Sequence, residues 1–302
     1  MKILITGASG FIGIPILERL IESDEVLEIY AVTRNLSQKL PKNKKLKWIE
    51  FDIGDYTKNE FNISDCNPDV LIHLAWSNIP DFSESQCLKN LNQSKNFIND
   101  ILSNSDCKKI MVAGSCFEYD QKFGKCYEDS ITKPKDHFTL AKLTLLDHLM
   151  LSCKKNNVSL AWFRLFYVYG AGQREGSLLP ILYKFLKKNT VPELNTPKNA
   201  NDFIHVDDVA LAFEMALTRD FNSGIYNLGS GKSVSVTEFC QSLEMLIKND
   251  DSLTKELVNK TSDSVEEVNF FASISKTKKT FGWIAKTPLI NGLRRSLEDN
   301  NG

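Results

Sequence analysis

The sequence predicts an α/β fold, a doubly wound parallel sheet with a smaller C-terminal α/β lobe. Three observations carry that expectation. The chain opens with MKILITGASGFIG, a short apolar run leading straight into Gly7, Gly10 and Gly13. Strand-like apolar segments then alternate with helix-periodic ones through the first half, the pattern of a parallel sheet covered on both faces. Finally, 302 residues suffice for one large core and a second, smaller lobe.

The opening segment reads as a buried strand over Lys2–Thr6 followed by a helix over Phe11–Ile21. Each glycine between them has a mechanical role. One sets the turn dihedrals, one admits a pyrophosphate close to the backbone, and one lets helix pack on strand. The helix start offers unpaired N–H groups and a positive dipole end to phosphates. A Rossmann-type dinucleotide site is expected here, with Ser9, Phe11 and Ile12 beside the three glycines as its contacts.

Further strands are expected at Glu28–Thr33, Leu46–Phe51, Val70–Leu74, Lys109–Ala113 and Ser159–Arg164. Helical periodicity is clearest over Glu84–Leu102 and Leu140–Cys153. The turn-rich Gly170–Gly176 begins a departure from the sheet, and a strand at Asp202–His205 with a helix at Val206–Leu217 crosses back. The division is a dinucleotide-binding domain at 1–167 and mainly a substrate lobe at 168–302, with segments around 202–230 returning to the first. The lobe should hold about Leu178–Thr196 and much of Ser233–Gly302. The Lys-rich patch Pro41–Lys47 and the polar patch Lys248–Asp251 read as solvated loops.

Composition excludes several classes. A net charge of −1 with no basic block argues against a nucleic-acid partner. The seven scattered cysteines lack metal-ligand spacing and read as reduced thiols of a cytoplasmic protein. No stretch reaches the ~18 apolar residues of a membrane span. The charged Glu18 and Arg19, with the glycines before them, break any signal-like run.

Motifs in order along most of the chain resemble the extended short-chain dehydrogenase/reductases that act on nucleotide sugars. They are the G-x-x-G-x-x-G turn, VLIHLAW at Val70–Trp76, GSCFEY at Gly114–Tyr119 and VYGAGQ at Val168–Gln173. DFIHVDDVA at Asp202–Ala210, YNLGSG at Tyr226–Gly231 and FGW at Phe281–Trp283 complete the set. HLAW, GSCFEY and LFYVYGAGQ together are most similar to bacterial reductases of nucleotide-linked 4-keto-6-deoxysugars.

The resemblance implies a nicotinamide cofactor, and the end of the second strand bears on which one. An NAD site of this type places a carboxylate there for the ribose hydroxyls. This chain has Thr33 and Arg34, and a guanidinium suits a 2′-phosphate, so NADP(H) is expected. The other reading of Arg34 is a solvated loop charge. Asp52 and Ile53 match the pair that lies along the adenine, although Asp52 could simply cap the following turn. Leu74 and Ala75 are expected to line the cofactor.

In the family, a tyrosine protonates the forming alkoxide and a lysine four residues later lowers its pKa, both on one helical face. Ser115 matches the serine that hydrogen-bonds the substrate oxygen, its alternative being a strand-end hydrogen bonder. Lys142 matches the lysine, which also holds the nicotinamide ribose; a helix-surface charge is the rival reading. The tyrosine position holds Phe138. This is an engineered Tyr→Phe change, or a natural form protonated by water, His137 or another tyrosine, or the mark of a non-catalytic nucleotide-sugar binder.

Cys116 and Phe117 stand where related dehydratases carry an Asp-Glu pair, which disfavours dehydration. Glu118 should point away, because alternate residues of an extended segment face opposite sides. Cys116 reads as a small buried residue, or as half of an epimerase-reductase acid–base pair.

Substrate contacts are expected at Ser77 and Asn78, at Cys116 and Phe117, at Tyr167 (otherwise a packed aromatic), and at Arg174, Ser177 and Leu178. Asn201 stands where relatives often have Arg. Asp202, His205 and Asp207 read as structural polar groups rather than a metal cluster, and Asn90 as bonding across the sheet or as an exposed helix asparagine. The resemblance thus implies an NADPH-dependent reductase of a nucleotide-diphosphate 4-keto-6-deoxysugar for bacterial surface polysaccharide, dimeric through its two long helices. An epimerase with bound NAD and a non-catalytic binding protein are the alternatives.

Overall fold

The computed structural model describes residues 1–36, 40–54, 62–192, 194, 196–260 and 268–299. The parts of the expected lobe at 193, 195, 261–267 and 300–302 lie outside the described residues. The first half runs β1 (Lys2–Thr6), α1 (Gly13–Glu22), β2 (Glu28–Thr33), β3 (Leu46–Glu50), α2 (Ile63–Cys66), β4 (Val70–His73), α3 (Glu84–Asn104), β5 (Lys109–Ser115), β6 (Phe123–Cys126), α4 (His137–Lys155) and β7 (Ser159–Leu165). The second half runs β8 (Tyr167–Tyr169), α5 (Leu178–Lys187), β9 (Ala200–Asn201), β10 (Phe203–His205), α6 (Val206–Leu217), β11 (Gly224–Leu228), β12 (Val234–Ser235), α7 (Val236–Lys248), α8 (Ser252–Lys260), β13 (Asn269–Ala272), α9 (Ser275–Phe281) and α10 (Leu289–Asp299).

Among the described residues, seven strands form one parallel sheet in the order β11-β7-β5-β4-β1-β2-β3. The six strands expected over the first 164 residues are in it, β11 joins from the second half, and the strand expected at Asp202–His205 forms as β10, paired instead with β8. The apolar runs are continuous because each strand feeds two cores. Ile3, Ile5, Ile72, Met111 and Phe163 point into the layer shared with α1 and α6. Leu4, Leu71, Ile110, Val112 and Trp162 point into the layer shared with α3 and α4. This is the two-residue alternation of a strand applied to a sheet buried on both sides.

The helix expected from Leu140 begins earlier, at His137. Asp136 caps it, accepting from Thr139 N at 2.7 Å, so Phe138 falls on the first turn and on the same helix as Lys142. β6, absent from the expected strands, leaves the main sheet and pairs with β13 in a four-stranded sheet, β12-β9-β13-β6. A third apolar cluster joins α5, α7 and α10. Asp202, fully buried, ties these parts together by accepting from Ser230 N and Oγ at 2.6 Å and from Gly231 N and Ala272 N at 3.0 Å. Phe281 and Trp283 are fully buried, and Trp283 Nε1 donates to the Asp208 carbonyl at 2.8 Å. Among the described residues no helix is long and apolar enough to cross a membrane.

The strand order reverses between β1 and β4. Loops leaving their carboxyl ends therefore diverge to opposite faces and open a crevice, the place where such sheets take ligands.

Candidate active site

A crevice of about 220 Å³ lies at that point. Its lining includes Gly7, Ser9 and Gly10 after β1, Thr33 and Arg34 after β2, and Asp52 and Ile53 after β3. Leu74, Ala75 and Ser77 follow β4. Ten of the residues singled out in the sequence thus converge from four strand ends.

The glycine turn is built as its chemistry requires. Gly7 has φ +69°, and a Cβ there would stand 2.9 Å from Ala75 N, so only glycine admits the β4 loop so close. A Cβ on Gly13 would come within 2.5 Å of the Ala8 carbonyl oxygen; that glycine serves helix packing and is buried. Gly10 N donates to Gly7 O at 3.1 Å and closes the turn. The first residues of α1 have no side-chain cap and no acidic residue in their first turn, which leaves the helix N-terminus open to an anion. Phe11 and Ile12 are half-buried there outside the crevice lining, with Phe11 against Gly172 of the β8–α5 loop.

The end of the crevice formed by the loops after β2 and β3 carries the groups that bear on cofactor choice. Ser9 Oγ and Thr33 Oγ1 share a hydrogen bond of 2.9 Å, and Arg34 is exposed at the mouth. Asp52 Oδ1 accepts from Gly54 N at 2.9 Å, so the turn-capping interaction forms, while Asp52 still lines the crevice. Gln93 lies alongside, with its amide against Gly54. The cradle at Gly7, the uncapped helix start and the guanidinium fit a dinucleotide: two backbone features suit a pyrophosphate and the cation suits a further phosphate.

Ser77 is held in place by buried partners. Asn90 Oδ1 accepts from Ser77 N at 2.9 Å and from its Oγ at 2.8 Å, and Gln86 Nε2 donates to Ser77 Oγ at 2.9 Å. Asn90 thus reaches the end of β4, and Asn78, exposed at φ +60°, bonds Gln86 at 3.0 Å. His73 bridges Thr6 Oγ1 and Ser94 Oγ, and burial drops its pKa to about 3, so it sits there neutral.

Ser115 closes β5, Lys142 reaches the same strand at Ala113, and Phe138 packs on Phe82 and Trp76. Ser115 Oγ accepts from Phe117 N at 3.2 Å, capping the tight 3-10 turn Cys116–Glu118. That turn corrects one step of the sequence argument. The segment is not extended, and Glu118 points away because the turn swings it inward. There it accepts from Ser115 N at 2.8 Å, from Trp162 Nε1 and from Arg164 Nε at 2.6 Å, with both charged groups almost wholly enclosed.

Lys142 is 7 % exposed rather than a surface charge. Its Nζ donates to the Ala113 carbonyl at 2.9 Å and lies 3.9 Å from the centre of the Trp76 ring. Burial pulls its pKa down to about 8. Phe138 is buried against Phe82 at 4.8 Å and edge-on to Trp76 at 5.7 Å. His137 is exposed, and the Tyr119 hydroxyl is engaged with Asn227 Oδ1 at 2.7 Å.

The expected substrate residues are less closely gathered. Ser77 lines the crevice. Cys116 does not: it is 4 % exposed among Tyr119, Cys126, Phe166 and Phe270, and burial pushes its thiol pKa far up. Phe117 is exposed and meets half-buried Tyr167 edge-on at 5.7 Å. Arg174 is exposed in the turn before α5, which Leu178 begins and Ser177 precedes at the N-cap position without a side-chain cap bond. Trp76 and Gln93 are crevice residues that the sequence reading passed over. For Trp76, the signal was a large aromatic directly after HLA.

Comparison with known proteins agrees with this geometry. The sequence profile described as the NAD dependent epimerase/dehydratase family matches residues 3–229. A CDP-abequose synthase of Salmonella muenchen is 26% identical over 306 residues, covering 98% of this chain and 97% of that protein. A dTDP-4-dehydro-6-deoxyglucose reductase of Escherichia coli is 25% identical, covering 98% and 96%. The structure of a UDP-glucuronic acid 4-epimerase from Bacillus cereus, in complex with UDP-glucuronic acid and NAD, superposes with TM-score 0.80 at 20% identity. It covers 100% of this chain and 99% of that one. With the glycine turn, the crevice at the sheet's reversal and a match over three quarters of its length, the chain belongs to the NAD dependent epimerase/dehydratase family.

Proposed function

We propose that this protein is a nucleotide-sugar ketoreductase, reducing with NADPH the 4-keto group of a nucleotide-diphosphate 4-keto-6-deoxysugar that feeds bacterial surface polysaccharide. Its setting is the cytoplasm and its form a homodimer. The observation that carries the reading is Arg34, a cation rather than a carboxylate, lining the crevice where β2 ends. It favours a cofactor bearing a 2′-phosphate, and so a reductive enzyme over an epimerase with resident NAD. A relative whose name is that of a 4-dehydro-6-deoxyglucose reductase supports the same class of substrate.

In this reading the glycine turn and the start of α1 hold the pyrophosphate. Thr33 and Arg34 hold the adenosine ribose and its phosphate, Asp52 and Ile53 flank the adenine, and Leu74 and Ala75 line the remainder. When bound, the nicotinamide supplies hydride to the sugar's carbonyl carbon. Ser115 polarises the carbonyl oxygen, and Lys142 holds the nicotinamide ribose. The sugar nucleotide is contacted by Ser77 and Asn78 on one side, and by Phe117, Tyr167, Arg174, Ser177 and Leu178 on the other. Phe138 has no proton to give, so the alkoxide is protonated from water. That substitution costs about 10²–10⁴ in rate against a positioned phenol.

NADPH oxidation by this chain and by Phe138→Tyr, against a panel of nucleotide-linked 4-keto-6-deoxysugars, tests the proposal. A gain of roughly a hundredfold or more in the tyrosine variant is the expected result. NADPH binding without turnover by either form refutes it for those substrates. Copurified NAD with interconversion of two sugars and no net oxidation would identify an epimerase instead, the activity named for a structural neighbour.

A further inference from the structure

The residue one helical turn before Lys142 is phenylalanine rather than tyrosine, yet the Lys142 ammonium is enclosed. The charge faces aromatic rings: Trp76 at 3.9 Å, Phe138 at 5.9 Å and Trp162 at 6.0 Å from ring centre to Nζ. Trp76 also lines the crevice, so its indole touches both the ammonium and the ligand space. The indole is set edge-on against Phe138, and its Nε1 is buried without a hydrogen-bond partner among the described residues. An indole turned so that its N–H goes unsatisfied forfeits a hydrogen bond. Its contact with Lys142 supplies a compensating interaction, because an ammonium over an indole face is held more strongly when water is excluded.

We propose that Trp76 is the positioning residue for Lys142, its indole face replacing the missing phenol as the lysine's immediate partner and fixing the ammonium between the Ala113 carbonyl and the crevice. The consequence for catalysis rests on the reductase reading, in which Lys142 holds the nicotinamide ribose; the contact itself does not. Two other titratable groups lie near the ammonium. His73 of β4 is neutral through burial, and Glu118, in the turn after β5, favours the charged lysine but is paired with Arg164 of β7. The aromatic face is therefore the adjustable contribution to the lysine's charge.

The test follows the lysine directly. In protein labelled with ¹³C-lysine, the Lys142 side-chain signal, assigned by its loss in Lys142→Met, is titrated in the native chain, in Trp76→Leu and in Trp76→Phe. Loss of the π face makes Lys142 about tenfold less basic in the leucine variant. The phenylalanine variant, which keeps a weaker face, changes about threefold in the same direction. An unchanged or more basic Lys142 in the leucine variant overturns the proposal. If that variant does not fold, the same result in the phenylalanine variant does so. NADPH affinity, read by nicotinamide fluorescence on the same samples, separates the two claims. No binding by any form defeats the cofactor reading, and the titration alone decides the role of Trp76.

Discussion

Replacing Lys142 by methionine should make the protein more stable near neutral pH. Lys142 is 7 % exposed, and burial lowers its pKa from 10.5 to about 8. At about 1.36 kcal/mol per pH unit, this difference corresponds to a cost of about 3 kcal/mol for keeping a charged lysine enclosed. Between pH 8 and 10.5 the unfolded chain holds a proton that the folded chain has released. The contribution of Lys142 to native stability therefore rises with pH across that window. Methionine matches the lysine stem and has no charge to bury, so its variant lacks this rise. Leaving the Ala113 carbonyl without its donor costs the variant about 1–3 kcal/mol at every pH. The pH-dependent part survives that offset. The measurement is urea unfolding of both proteins from about pH 7 to 10.5; tyrosines and cysteines common to both cancel in the difference. The advantage of the methionine variant should shrink by about 3 kcal/mol over the window. A constant difference, or one that grows with pH, refutes the argument that the enclosed ammonium is strained. The same substitution removes the group assigned to the nicotinamide ribose, so stability and activity should move in opposite directions.

Two further outcomes follow from charges at opposite ends of the site. Arg34→Ala should weaken NADPH binding about ten- to a hundredfold and leave NADH binding nearly unchanged, as read by nicotinamide fluorescence; equal loss for both would remove the 2′-phosphate role. Arg164→Met strands the fully enclosed Glu118 without its 2.6 Å partner and should cost about 3–5 kcal/mol in urea unfolding. Adding Glu118→Leu should recover a large part of that loss, whereas simple additivity of the two changes would show that the pair is not coupled.

Much of the architecture could be read from local pattern. The strand runs, the glycine spacing and the helix at Val206–Leu217 depend on interactions between residues close in sequence, so their signals are present in the chain itself. Errors arose where a short-range cue was subtle. Asp136 starts α4 one turn before the apolar periodicity becomes evident, and the cap at Ser115 folds a seemingly extended segment into a tight turn. β6 carries no comparable local cue, because its partner, β13, lies almost 150 residues away.

The candidate site divides in the same way. The sequence alone carries the glycine spacing after β1, a cation rather than a carboxylate at Arg34, and a phenylalanine at 138 four residues before Lys142. Those features concern residue identity and spacing along one strand or helix. Only the tertiary structure decided that Cys116 faces the core, that Glu118 closes on Arg164, and that Lys142 is enclosed beneath Trp76. The reason is physical. A side chain's surroundings are set by strands β4, β5 and β7 and helix α4 meeting at one point, and the energy of a charge or thiol depends on that enclosure rather than on its neighbours in sequence.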